Sequence, residues 1–111
     1  MPKGISPTRR SLKYLRDKGY TVDIVEYWNS FARRRKDAYG FGDLIACGNG
    51  QIALIQCTSY SNTNARINKI KSIAAAYEWV WAGGLIIVHG WKKLKRGATL
   101  RRVDLTQELK C

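Results

Sequence analysis

The chain is 111 residues long and 45% hydrophobic, which suits one domain, residues 1–111, built on a single core. Its 20 Lys and Arg against 8 Asp and Glu leave a net charge of +12, so a polyanionic partner is expected, nucleic acid before an anionic membrane surface. Three cysteines (Cys47, Cys57, Cys111) and the single His89 exclude a disulfide framework, a zinc site of Cys and His ligands and a His-based triad.

Ser6-Pro7 reads as the N-cap and first position of a basic helix that runs to about Lys18 and stops at Gly19, with Leu12 and Leu15 as its buried stripe. Tyr20–Trp28 follows as one alternating strand, which puts Val22, Ile24, Glu26 and Trp28 on a single face and makes Trp28 a core residue. Asn29–Gly42 is expected as a basic, aromatic loop holding Arg33, Arg34, Arg35, Lys36 and Asp37.

Asn49-Gly50 lies between two apolar runs and marks a two-residue type I′ turn, because such a turn needs positive φ at both central residues. The turn dictates register: Gly48 faces Gln51, Cys47 faces Ile52, Ile45 faces Leu54 and Asp43 faces Gln56. Thr58 shares that face, while Leu44, Ala46, Ala53, Ile55 and Cys57 fill the other. Both faces are mainly apolar, so the hairpin belongs at the centre of a sheet, and Cys47 and Cys57 do not bridge.

After a polar turn at Ser59–Thr63, the spacing of Ile67, Ile70, Ile73, Ala74, Tyr77, Val80 and Trp81 predicts one helix over Asn64–Trp81, ended by Gly83-Gly84. Leu85–His89 is a buried strand, Trp91–Gly97 a basic turn containing Lys92 and Lys93, and Thr99–Leu105 an edge strand. The long helix can carry a crossover between the hairpin and Leu85–His89. The expected fold class is therefore α/β, a mixed central sheet with helices on both faces. No stretch approaches the ~20 apolar residues of a membrane span, and Met1–Gly4 has no apolar leader core, so no membrane partner and a cytoplasmic location are expected.

An acid, an amide and a hydroxyl thus meet at one end of a covered hairpin. Asp43, twelve residues, then Gln56-x-Thr58 resembles the motif of the PD-(D/E)XK nuclease superfamily, as does the αβββαβ order of a restriction-endonuclease-like core. The run Arg35-Lys36-Asp37-Ala38-Tyr39-Gly40-Phe41-Gly42-Asp43, the small size and the basicity are most similar to phage and archaeal Holliday junction resolvase-type proteins. The likeness spans roughly residues 6 to 89. It implies a metal-dependent, structure-selective endodeoxyribonuclease of DNA recombination that cuts branched DNA as a homodimer. The cofactor would be Mg²⁺, with Mn²⁺ as substitute, and a phage origin would put the protein in the host cytoplasm.

By that resemblance Asp43 is the main metal ligand, Gln56 lends its amide oxygen and Cys57 its carbonyl. Two positions depart from the family pattern: Gln56 stands where an acid is usual, and Thr58 where a lysine is usual. Asp37 and Glu26 are the candidates to replace the carboxylate. Lys69, with Arg66 one helical turn away, is the candidate for the missing cation. Arg33, Arg34, Arg35, Lys36, Arg66, Lys69, Lys92 and Lys93 are candidate phosphate contacts, and Trp28, Trp91, Tyr39 and Phe41 candidate stacking surfaces for unpaired bases, with core packing the favoured reading for Trp28. Each has a plainer reading. Asp43 and Gln56 can satisfy one another, Glu26 and Asp37 can pair with the arginine run, and Lys69 can be solvated. Trp91 can pack over the sheet edge, and the whole can be a catalytically degenerate module that only binds DNA or RNA.

Overall fold

The computed structural model describes residues 5–110, so Cys111 and the Met1–Gly4 segment lie outside the described residues. Asn49 and Gly50 both take positive φ, 54° and 75°, and the chain reverses between β4 (Leu44–Gly48) and β5 (Gln51–Ser59). Their register is Gly48 to Gln51, Cys47 to Ile52 and Ile45 to Leu54. Adding β1 (Thr21–Ile24), β6 (Leu85–Lys93) and β7 (Ala98–Asp104) completes a sheet of order β1-β4-β5-β6-β7. Only the β5–β6 pair is parallel, and α2 (Thr63–Lys71) with α3 (Ala74–Trp81) makes that crossover.

Each sheet face has its own apolar layer. Leu44, Ala46, Ala53, Ile55 and Ile87 pack with Leu12 and Leu15 of α1 (Pro7–Asp17), whose first turn is capped by Ser6 Oγ accepting from Arg9 N–H at 3.2 Å. Leu54, Ile86 and Val88 pack on the other side with Ile70 of α2, Ala76 and Val80 of α3, and Phe41. Helices therefore cover both faces of a mixed α/β sheet, and none is long and apolar enough to cross a membrane among the described residues.

Three expectations about element bounds are corrected. The strand expected over Tyr20–Trp28 stops at Ile24, because its neighbour β4 begins at Leu44, the partner of Ile24, and offers one further rung, Val25 N–H to the Asp43 carbonyl at 2.9 Å. The chain then leaves the sheet and forms a separate two-stranded hairpin, β2 (Tyr27–Asn29) at the end of the expected strand with β3 (Arg34–Lys36) inside the expected loop. Trp28 is accordingly 60% exposed rather than core.

The single helix over Asn64–Trp81 is broken at Ser72-Ile73. Ser72 Oγ donates to the Lys69 carbonyl at 2.6 Å, Ile73 turns extended, and Tyr77 Oη donates to the Lys71 carbonyl at 2.7 Å. The break rotates the apolar stripe, so Trp81 points outward at 85% exposure. Lastly, β6 continues to Lys93, so Trp91, Lys92 and Lys93 are strand residues and not part of a turn.

A 3₁₀ turn, Tyr60–Asn62, crosses directly over Gly90 of β6. A methyl group at Gly90 would enter the buried Thr63 hydroxyl, which donates to the Tyr60 carbonyl at 2.8 Å, and would lie 3.3 Å from Tyr60 Cα. Neither neighbour is a free side-chain end. Gly90→Ala should cost about 1–3 kcal/mol, read as a lower urea midpoint at unchanged m-value.

Candidate metal centre

Three carboxylates meet because three short ladders end at one point. Tyr27 pairs with Lys36, so continuing that register outward sets Glu26 opposite Asp37. Ala38 and Gly42 exchange backbone hydrogen bonds at 2.9 and 2.8 Å, so continuing that bridge sets Asp37 opposite Asp43. The turn between them uses positive φ at Tyr39 (56°) and Gly40 (86°) and is anchored by fully buried Phe41. Gly42 permits the pinch: a Cβ there would lie 3.0 Å from Leu54 Cδ2 and 3.2 Å from Ala38 Cβ. One carboxylate oxygen each from Glu26, Asp37 and Asp43 lies within 4.8 Å of the others.

Asp43 itself sits at a bulge. Its N–H donates to the Ile55 carbonyl at 2.9 Å although Leu44 is the partner of Ile55, so two residues of one strand oppose one of the next. The bulge delivers the side chain to β5, where Oδ2 accepts from Cys57 N–H at 2.7 Å and from Gln56 Nε2 at 2.9 Å. The sequence-derived pair of Asp43 and Gln56 is therefore in contact. Asp43 is 4% exposed, and this burial pushes its carboxyl up to about 8, opposed by the Cys57 N–H and reinforced by the charges of Asp37 and Glu26. Burial likewise pushes the Cys57 thiol well up, so it stays protonated.

The other end of the Gln56 amide carries the second sign of an absent partner. Gln56 is 3% exposed, and its Oε1 accepts no hydrogen bond within the described residues. Buried acceptors are seldom left unpaired. Ile55 turns its carbonyl to the β4 edge, so Cys57, two residues on, turns its own carbonyl to the same edge, past the point where β4 has ended. Carboxylate, amide and carbonyl oxygens form an all-oxygen set, the chemistry of a hard divalent cation. The acidic cluster can hold a metal ion.

The remaining candidates divide. Thr58 is buried on the Gln56 face, opposite Gly90. Lys69 is exposed and Arg66 half-buried, and neither makes an ion pair or side-chain hydrogen bond to the carboxylates. Arg35 does so, with Nη1 3.9 Å from Glu26 Oε1, which is the pairing of Glu26 with the arginine run. Arg33, Arg34, Lys36, Lys92 and Lys93 are exposed. Trp91 follows its packing alternative: half-buried, it donates from Nε1 to Ser11 Oγ at 2.8 Å and meets Tyr14 edge-on. Phe41 is fully buried and cannot stack on a base, whereas Tyr39 is 59% exposed. Sequence reasoning missed the hairpin that presents Tyr27, Trp28 and Phe31. Its one local signal is Asn29, whose Oδ1 accepts from Phe31 and Ala32 N–H at 3.0 and 3.1 Å.

No protein-family model matches the chain, and no curated protein sequence matches it significantly.

A second buried titratable group lies on the opposite face. His89 Nδ1 shares a 2.8 Å hydrogen bond with Ser11 Oγ, and burial, helped by Arg102, lowers its pKa to about 4. Without metal the two groups oppose each other. Between about pH 4 and 6.5 the unfolded chain takes up a proton at His89 that the fold refuses, while the fold keeps one at Asp43 that the unfolded chain releases. From about pH 6.5 to 8 only Asp43 acts; the native state holds the extra proton, and stability falls as pH rises. In a chelator, these two groups should leave Tm level between about pH 4 and 6.5 and make it decline from there to about pH 8, worth about 1.4 kcal/mol per pH unit at full slope. Asp43→Asn should abolish the upper decline.

Proposed function

We propose that this protein is a divalent-cation-dependent nuclease of the PD-(D/E)XK type, with a restriction-endonuclease-like core, that cuts branched DNA of the Holliday junction class. The observation that carries the reading is the convergence of Glu26, Asp37 and Asp43, the last bonded to Nε2 of a buried Gln56 amide whose Oε1 has no partner among the described residues, beside an exposed basic surface. Mg²⁺ or Mn²⁺ would be held by these three carboxylates, Gln56 Oε1 and the Cys57 carbonyl. When bound, the ion supplies positive charge against the scissile phosphate and acidifies water beside it.

The chain's own residues do the rest. Cys57 N–H and Gln56 Nε2 fix the Asp43 carboxylate through one oxygen, Oδ2. Arg35, beside Glu26, brings the cation that the motif lacks at Thr58; Lys69 is also exposed but makes no ion pair with the carboxylates. A guanidinium does not release its proton, so Arg35 orients and neutralises phosphate, and proton acceptance falls to a carboxylate. Arg33, Arg34, Lys36, Lys92 and Lys93 hold flanking phosphates without reading bases. A four-way junction offers two symmetry-related strands, so the working form is a two-fold dimer.

Labelled four-way junctions, flaps, duplexes and single strands should be tested with Mg²⁺ and Mn²⁺. Cleavage of branched substrates is expected, with Asp43→Ala at least about a hundredfold slower. Mn²⁺ should also raise the Tm of the wild type more at pH 8 than at pH 6, since protons compete for Asp43, and leave Asp43→Ala unmoved. The neutral Gln56 and Thr58 favour a second reading, a nuclease fold that binds without cutting. That reading replaces the first if the wild type binds DNA and every substrate stays intact.

A further inference from the structure

The β2–β3 hairpin stands apart from the main sheet and is rooted in the acidic cluster, since Glu26 immediately precedes β2 and Asp37 immediately follows β3. Its surface is unusual. Tyr27 is 57%, Trp28 60% and Phe31 101% exposed, and Arg33, Arg34, Arg35 and Lys36 are all exposed. No Asp or Glu occurs between Tyr27 and Lys36. Large aromatics this open are carried at a cost in solubility, and more than half of each surface is left uncovered by the described residues.

The arrangement is ordered. Asn29 Oδ1 accepts from Phe31 and Ala32 N–H, and Arg33 takes φ of 52°, which together define the tip and project Phe31 from it. Trp28 lies directly across from Arg35, and Arg35 reaches back to Glu26 at 3.9 Å. An aromatic face, a guanidinium and a metal-site carboxylate therefore succeed one another along one hairpin. Aromatic planes with interleaved cations match one polyanion that also offers exposed π-faces, an unpaired nucleic-acid strand. A second copy of the chain fits poorly, because four cations with no acid between them would face the same four.

Resting on the nuclease reading above, we propose that this hairpin is a strand-gripping finger. It stacks an unpaired base of the DNA substrate on Trp28, with Phe31 at the tip against a neighbouring base, and so presents the adjoining phosphate to Arg35 and the carboxylates. The finger selects DNA with an unstacked segment, and the carboxylate cluster does not take part in that selection.

The test is the binding of a fluorescein-labelled single-stranded oligonucleotide, the matching duplex and a four-way junction. It is carried out in Ca²⁺ across a salt series for the wild type and the Trp28→Ala/Phe31→Ala double variant, with cleavage in Mg²⁺ measured in parallel. The double variant should bind the single strand about tenfold or more weakly with an unchanged salt slope and an unchanged duplex affinity; Arg34→Ala should instead reduce the slope by about one. Trp28→Phe should retain most of the affinity, which separates loss of stacking from loss of structure. Equal weakening for single strand and duplex, no weakening at all, or a shift of the double variant from dimer to monomer would each overturn the finger. Aromatic-dependent strand binding without any cleavage by the wild type supports the finger and sinks the nuclease reading. Cleavage by a wild type whose double variant binds and cuts equally well does the reverse.

Discussion

A carboxylate held out of water beside two others is intrinsically unfavourable, and the structure around Asp43 is organised by that fact. Desolvation alone disfavours its charged form, and Asp37 and Glu26 within 4.8 Å add like-charge repulsion. The fold answers in part, with two N–H donors from β5 on one oxygen and a guanidinium near Glu26. It leaves the remainder to a proton or a cation. A site that the protein neutralises only in part can take a proton or a cation from solution, and this is the physical content of the three-acid cluster.

The hairpin at the centre of the sheet was legible because its cause is local. Two residues that must take positive φ set a register that holds from Gly48–Gln51 to Leu44–Ile55; counting one step further sets Asp43 opposite Gln56, where instead a bulge at Asp43 interrupts the ladder and the two meet through their side chains. What the sequence hid is non-local or a matter of competition between nearly equal choices. The end of β1 is set by where β4 stops pairing, which no pattern inside Tyr20–Trp28 records. The β2–β3 hairpin has arms of three residues exposed on nearly every side, so it carries no buried period to read. At Ser72 the apolar spacing continues unbroken while one hydroxyl takes the Lys69 carbonyl and ends the helix.

Two aromatic assignments exchanged places for the same reason. Phe41 reads as a stacking surface because it lies in a basic, aromatic loop, yet the tight Ala38–Gly42 bridge turns it down into the core against Leu54 and Ile70. Trp28 looked buried because the strand alternation was carried past the point where the strand ends. Lys69 shows the limit of spacing arguments: one helical turn relates it to Arg66, but spacing does not say which side of the helix meets the sheet. On the α1 face Ser11 Oγ accepts the Trp91 N–H and pairs with His89 Nδ1, while His89 Nε2 stays buried with no hydrogen-bond partner among the described residues.

The roots of the β2–β3 hairpin carry a mechanical consequence. A two-stranded hairpin without a third strand is marginal in water, and the ten residues Tyr27–Lys36 are tethered to the sheet only through Glu26 and Asp37. An ion bound by both carboxylates closes that segment into a loop, a staple that is removable and titratable where a disulfide would be permanent. By reciprocity, whatever immobilises the hairpin tip must tighten the ion, and the ion must in turn tighten whatever holds the tip. On the nuclease reading proposed above, loading of the ion and engagement of the strand would be coupled through the order of these ten residues.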